Sequence, residues 1–202
     1  MMSDFYCIDL DDKVEKFQWE SIETKGDNPG PRSKHALIGG KSKIYLVGGL
    51  YNDIHSSGEI FEFDSEKRTW TLLKPSGDKL PEIDSFGCVY IASGEEEKIV
   101  ILCGYDGKNA DYLNSVYEYN ITKNKVSTLF PGTKAGESKT DLIYVENDSV
   151  PLPRSGCAAA TDGKSAYIFG GKDDENRMKD LWEFSLTDFK YHKLEGEGDV
   201  PP

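Results

Sequence analysis

Three stretches of the chain share one order of apolar and polar positions. Ile44-Tyr45-Leu46-Val47 runs into Gly48-Gly49, Ile99-Val100-Ile101-Leu102 into Cys103-Gly104, and Ala166-Tyr167-Ile168-Phe169 into Gly170-Gly171. Each run is followed by a stretch of alternating type: Ile60-Phe61-Glu62-Phe63-Asp64, Val116-Tyr117-Glu118-Tyr119-Asn120 and Leu181-Trp182-Glu183-Phe184-Ser185. Period-two alternation rich in β-branched and aromatic residues predicts β-strands. Seven residues beyond the second aromatic stands another bulky side chain, Trp70, Val126 or Tyr191, which predicts a further strand. Gly, Asp, Asn, Ser and Lys fill the gaps, as turn geometry favours. No segment shows convincing helical periodicity, so the expected class is all-β.

The last glycines of the three runs stand at 49, 104 and 171, spacings of 55 and 67 residues. A period of this size signals a repeated supersecondary unit. Upstream, Pro31-Arg32-Ser33-Lys34-His35 matches Pro153-Arg154-Ser155-Gly156-Cys157. The arginines of the whole chain are Arg32, Arg68, Arg154 and Arg177, so two at one repeat position indicate selection by position. Each unit reads as four strands: an inner one after Pro-Arg-Ser, the run ending in the glycine pair, the alternating strand, and the strand with Trp or its substitute. The expected units are 31–73, 80–130 and 151–194, with an insertion at 131–150 where Leu142-Ile143-Tyr144-Val145 forms a short extra strand or part of a mobile loop. Residues 5–22 read as the outer two strands of another unit, and 195–202, with Gly198-Asp199-Val200-Pro201-Pro202, as the approach to a following repeat. The second unit departs most: it has Cys103 for the first glycine, Val126 for the tryptophan and no arginine ahead of Gly87-Cys88. Aligning Gly87-Cys88 with Lys34-His35 and Gly156-Cys157 predicts that Cys88, His35 and Cys157 share one inner-strand position.

The glycine pair closing the second strand, with aromatics in the third and fourth, resembles the kelch repeats of galactose-oxidase-like propellers. The resemblance covers nearly the whole chain. It implies a β-propeller of four-stranded antiparallel kelch blades, three complete blades plus the outer strands of a fourth. In closed propellers of that family the first strands often complete the last blade. Here that blade's inner strands are missing, so a truncated chain or a fragment is expected. Pro31-Arg32-Ser33-Lys34-His35 is similar to leucine-zipper-like cullin adaptors of the family.

Charge narrows the partners. With 24 Lys plus Arg against 36 Asp plus Glu the net charge is −12, which disfavours nucleic acid and anionic membrane and leaves a protein partner. No apolar run is long enough to span a bilayer. The first residues carry no basic region followed by an apolar stretch, so the cytoplasm or the nucleus is the expected compartment. The cysteines Cys7, Cys88, Cys103 and Cys157 show no paired zinc spacing and read as structural thiols. The three histidines, His35, His55 and His192, share no motif, so no metal and no cofactor is expected. His35 reads as a core histidine.

Loops joining strands two and three lie on the same propeller face as the loops between blades, and they are longer than the opposite turns. Binding residues concentrate on such loops. The candidate partner-binding set is Tyr51, Asn52, Asp53 and His55 from the first unit, Tyr105, Asp106, Lys108 and Asn109 from the second, and Lys172, Asp173, Asn176 and Arg177 from the third. Tyr, Asn and Arg supply rigid contact area and directed hydrogen bonds. Turn geometry alone also favours Asn-Asp and Asp-Gly. Arg32 and Arg154 join the set as residues that line the central mouth, or else tie the inner strand to carboxylates or carbonyls of a neighbouring blade. Glu95-Glu96-Glu97 reads as a solvated turn on the opposite face. The expected function is a non-enzymatic interaction module, an adaptor or scaffold. The alternative is a propeller enzyme of oxidase, epimerase or specifier type, for which the sequence shows no copper, iron or acid–base set.

Overall fold

The structure, a computed structural model, describes residues 4–8, 17–133 and 149–196. Its strands form three antiparallel blades and a partial one. Blade 1 runs Ala36–Gly39, Ile44–Val47, Ile60–Asp64 and Thr69–Leu72 from the inner edge outward. Blade 2 runs Gly87–Ser93, Glu96–Asp106, Asp111–Asn120 and Lys125–Phe130, and blade 3 runs Ala158–Thr161, Ser165–Phe169, Leu181–Ser185 and Lys190–Leu194. Tyr6–Ile8 and Trp19–Ser21 pair antiparallel as the outer half of a fourth.

One register repeats. Val47 faces Ile60, Leu102 faces Val116, and Phe169 faces Leu181 across strands two and three. Phe63 faces Trp70, Tyr119 faces Val126, and Phe184 faces Tyr191 across strands three and four. Alternation with a period of two then puts each pair on a defined face of its blade.

Consecutive blades stack on those faces, and the core lies between them. Tyr45, Val47 and Ile60 of blade 1 pack against Ile83, Ile99, Ile101 and Tyr119 of blade 2. Val100, Leu102 and Val116 on the other face of blade 2 meet Ile168, Trp182, Phe184 and Tyr191 of blade 3. On the far side of blade 1, Phe5 of the N-terminal hairpin sets its ring edge-on to Phe63 at 4.9 Å and lies 5.5 Å from Trp70. An Arg68–Glu20 ion pair at 3.0 Å ties the same hairpin to blade 1.

The glycine pair has a backbone reason. Gly48 and Gly170 hold φ near 57° and 66°, where a Cβ is disfavoured, and Cys103 adopts the same left-handed turn at 60°. Cys103 is fully buried in the core between blades 2 and 3, where its apolar contacts offset strain of about 1–3 kcal/mol.

Five expectations are corrected. Blades 1 and 2 gain a fifth, two-residue strand, Lys25–Gly26 and Ser76–Gly77, running parallel to the fourth. Asp27 and Asp78 follow, and their carboxylates accept the amides of Leu72 and Thr128, each at 2.8 Å. The second-unit loop expected to carry Tyr105, Asp106, Lys108 and Asn109 is shortened by strand on both sides, leaving only residues 107–110 as the turn. Glu96 and Glu97 start a strand, and accept hydrogen bonds from Lys123 Nζ (2.8 Å) and Tyr90 Oη (2.7 Å). The residue equivalent to His35 and Cys157 is Phe86, not Cys88: Ala36, Gly87 and Ala158 all face the residue before the glycine position, and the residue ahead of each is therefore His35, Phe86 or Cys157. Lys34, Ser85 and Gly156 precede them with φ of 55°, 53° and 67°, so the backbone itself sets this alignment. His35 is exposed rather than core. The expected extra strand at 142–145 and the approach at 197–202 lie outside the described residues.

Gly77 has φ of 85°, and a Cβ there would collide with the Val126 carbonyl oxygen. Gly77→Ala therefore forces the short parallel strand off blade 2 and lowers stability by about 1–3 kcal/mol. Thermal unfolding reads the loss, and faster exchange of the Thr128 amide localises it.

Candidate functional site

Pro31-Arg32-Ser33 and Pro153-Arg154-Ser155 place an arginine at the entrance of the inner strand. Arg154 is fully buried; Nη1 donates to the Gly170 carbonyl at 3.0 Å, and Nη1 and Nη2 grip Asp180 at 2.5 and 2.9 Å. Trp182 Nε1 donates to the same carboxylate at 2.6 Å. Burial alone would raise the Asp180 pKa, but the Arg154 and Trp182 hydrogen bonds outweigh it and hold it below the usual carboxylate range. Arg32 repeats the arrangement, donating to the Gly48 carbonyl at 3.0 Å and to Glu59 at 3.3 Å. Both arginines are buried, and their carboxylates come from their own blades rather than from a neighbour.

Blade 2 solves the same position without charge. Its register puts Ile83 in the place of the arginine and Ser115 in the place of the carboxylate, and both are buried. Ser115 Oγ is buried without a hydrogen-bond partner among the described residues. A signal for the pair was present in the sequence: an acid stands directly before the third strand, Glu59 or Asp180, only in the units that carry the arginine.

Asp106 and Asp173 are also buried, and serve the loops that contain them. Asp106 accepts the amides of Lys108 (3.0 Å) and Asn109 (3.2 Å), while its second oxygen accepts Asn109 Nδ2 at 2.7 Å. Asp173 accepts the amides of Glu175 (2.8 Å) and Asn176 (2.6 Å), and Asn176 Nδ2 at 3.4 Å. These two buried aspartates lock their turns.

Each of the three loops ends in an exposed tip. In blade 1, Leu50–Tyr51 pairs with His55–Ser56 and with Arg32–Ser33 in a small three-stranded sheet. Asn52 and Asp53 turn left-handed at its end, with φ of 50° and 60°, and the Ile54 amide closes on the Tyr51 carbonyl at 3.2 Å. Tyr51, Asn52, Asp53 and His55 are exposed there, as are Lys108 and Asn109 of blade 2 and Lys172, Asn176 and Arg177 of blade 3. Tyr105 is half-buried, edge-on to Tyr112 at 5.3 Å. The tips are joined: Ser56 Oγ donates to Asp84 at 2.6 Å, and Tyr112 Oη donates to Asp174 at 2.7 Å. The Asp174 hydrogen bond and partial burial push the Tyr112 pKa up to about 12, so the link stays intact at neutral pH.

Ile54, which the loop composition did not single out, is 71% exposed beside Tyr51. An apolar residue in a turn otherwise made of Tyr, Asn, Asp and His was the available clue. No group of three or more His, Cys, Asp or Glu among the described residues is placed to hold a metal ion.

The sequence profile of the KLHDC2/KLHL20/DRC7 Kelch-repeats domain matches residues 1–140 and again 40–202. The chain belongs to the kelch-repeat family. It is similar to human host cell factor 2 (Homo sapiens), 27% identical over 91% of this chain and 23% of that protein. It is also similar to the leucine-zipper-like transcriptional regulator 1 homolog of Drosophila melanogaster, 25% identical over 98% of this chain and 18% of the relative. A third relative is Kelch domain-containing protein 2 of Bos taurus, 22% identical over 93% of this chain and 48% of that protein. The kelch chain therefore spans less than half the length of each of these relatives. The glycine pairs and aromatics that mark the family are the residues that stack its blades.

Blade 2 supplies a test of the buried ion pair. Arg154→Ile alone strands the Asp180 carboxylate and costs about 3 kcal/mol. Arg154→Ile with Asp180→Ser copies blade 2 and recovers more than half of that loss. Denaturant unfolding of the two variants checks the order.

A pH series checks the same pair. Asp180 titrates below the ordinary aspartate range in the folded state, so its contribution is complete above about pH 5 and fades as pH falls through the folded value. The double variant lacks that part of the acid destabilisation.

Proposed function

We propose that this kelch chain is a non-enzymatic protein-interaction module, an adaptor or scaffold that engages a partner protein through the loop face of its blades. One observation carries the reading: Ile54 is 71% exposed on a hairpin tip whose own backbone is held in place. An isolated exposed apolar side chain is ordinary, but this one sits beside exposed Tyr51 and His55 on a locked turn. Rigid presentation matters because a partner then orders few side chains on binding. Lys108, Lys172 and Arg177 stand on the same loops as exposed Asp53, Asp111 and Glu175, so the face offers both signs of charge for directed contacts. The names of the relatives, a host cell factor and a transcriptional regulator among them, support a regulatory rather than a catalytic setting. The reading places the module in the cytoplasm or nucleus.

The test compares faces. Tyr51→Ala, Ile54→Ser and Arg177→Ala combined should weaken binding of a captured partner at least about tenfold, since interface anchors of these types each contribute on the order of 1–2 kcal/mol. Lys164→Ala, in the opposite-face turn, should leave binding unchanged. Partner-induced protection of lysines from acetylation should fall on Lys108 and Lys172 and spare Lys164. Normal binding by the triple variant would show that the loop face is not the contact surface.

A further inference from the structure

The repeat fixes which residues touch where the glycine turn of one blade meets the inner strand of the next. Between blades 1 and 2 the contact is Gly48 against Phe86: a Cβ on Gly48 would come within 2.9 Å of the Phe86 ring. Cys103 holds the place of Gly48 in blade 2, with the same left-handed φ. Cys157 holds the place of Phe86 in blade 3, directly ahead of Ala158–Thr161. The equivalent contact between blades 2 and 3 is therefore thiol against thiol. Both are free cysteines in one core cluster, Cys103 fully buried and Cys157 8% exposed. The backbone clamps them together. The Gly104 amide, next to Cys103, donates to the Arg154 carbonyl at 2.8 Å, and the Gly156 amide, next to Cys157, donates to the Ser85 carbonyl at 2.7 Å. A Cβ on Gly87 would lie 3.2 Å from Cys157 Sγ, and Gly87 faces Leu102, the neighbour of Cys103.

We infer that Cys103 and Cys157 are a redox modification site, forming under peroxide a reversible disulfide that fastens blade 2 to blade 3. The roles of the two thiols follow from their surroundings. The hydrogen bond donated by the Cys103 thiol, helped by the Arg154 guanidinium, holds the Cys157 thiol below its ordinary range against the effect of burial. The same contact and burial push the Cys103 thiol up. Cys157 is thus the nucleophile and Cys103 the resolving thiol. The Cys157 thiolate attacks one peroxide oxygen, the O–O bond breaks and hydroxide leaves, giving a sulfenic acid. Cys103 sulfur then attacks Cys157 Sγ, the S–O bond breaks, and the hydroxyl departs with the Cys103 proton as water. Two thiols and one hydrogen peroxide become one disulfide and two waters, the cysteines losing the two electrons that the peroxide gains. A dithiol reverses the bond by exchange. Cys88 has no such partner: it packs at the interface of blades 1 and 2, where burial alone pushes its thiol up. The bridge closes the loop from 103 to 157 and so restricts the unfolded chain. It lies beneath the loops that carry Lys108 and Arg177, and adds a covalent tie to the Tyr112–Asp174 link between them.

Mass spectrometry and melting test this on the reduced 202-residue chain, treated with excess hydrogen peroxide well below its melting temperature. Intact mass should fall by two hydrogens, and peptide mapping should join the segment holding Cys103 to the segment holding Cys157. The oxidised form should melt about 5 °C or more above the reduced form, and a dithiol should reverse both changes. Cys103→Gly restores the glycine that blades 1 and 3 carry, and an unchanged circular dichroism spectrum shows that it folds. Its Cys157 should stop at the sulfenic acid, captured by dimedone, and form no bridge. In Cys157→Ala the remaining Cys103 should stay reduced. A wild-type mass unchanged by peroxide overturns the inference, as does a bridge through Cys7 or Cys88 or between two chains. A bridge that forms only when the chain unfolds, or that leaves melting unchanged or lowered, overturns it too. The loop-face variant keeps both cysteines and should oxidise like wild type, which separates this outcome from the fate of the proposed partner site.

Discussion

A four-stranded sheet has two faces, and no blade of this chain can cover either by itself. The protein depends on that constraint. Its clusters of buried apolar residues lie between sheets, so the stability of each blade is largely supplied by its neighbours. Blade 2, with neighbours on both sides, is the best covered and carries the longest hairpin. This is the unit whose sequence departs furthest from the repeat. A substituted glycine and a valine in place of tryptophan are tolerated where packing is tightest, because the neighbours complete the core that the unit's own residues leave thinner.

The arginine position shows how polar chemistry is fitted into such stacks. Blades 1 and 3 bury a guanidinium and satisfy it with a backbone carbonyl and a carboxylate from the same blade. Blade 2 replaces both partners together, with isoleucine and serine. Both solutions are physically sound, since a buried charge costs most when it loses its partner, and an apolar replacement of the whole pair costs little. The arginines tie the entering chain to the glycine turn. That turn aims the loop between strands two and three, so the placement of Tyr51 and Arg177 rests on the buried arginines.

Much of the fold was legible before any coordinates. The alternating strands, the glycine turns, the three units and the partial blade at the start follow from spacing and residue type. The candidate site was half legible. Asp106 and Tyr51 sit in equivalent loops and both suit an interface, yet one is buried under its own turn and the other stands in solvent. Asn and Asp are chosen for turns by backbone geometry and for interfaces by their side chains, and composition does not separate the two demands. Ile54 was overlooked for the converse reason: an apolar residue counts toward a core until the structure shows no core around it.

By itself the sequence determined the strands and which of their residues lie on one side, because a period of two leaves the backbone no other choice. It did not determine which side is covered. Ile8 with Trp19 and Phe63 with Trp70 are the same local pattern in the same register, yet Trp19 stands in solvent while Trp70 is buried beneath Phe5. The offset that exchanged Cys88 for Phe86 has the same origin, since the turn before the inner strand counts residues by backbone angle and not by kinship of side chains. Burial belongs to a residue and its neighbour together, and only the stacking of the blades decided where each neighbour is.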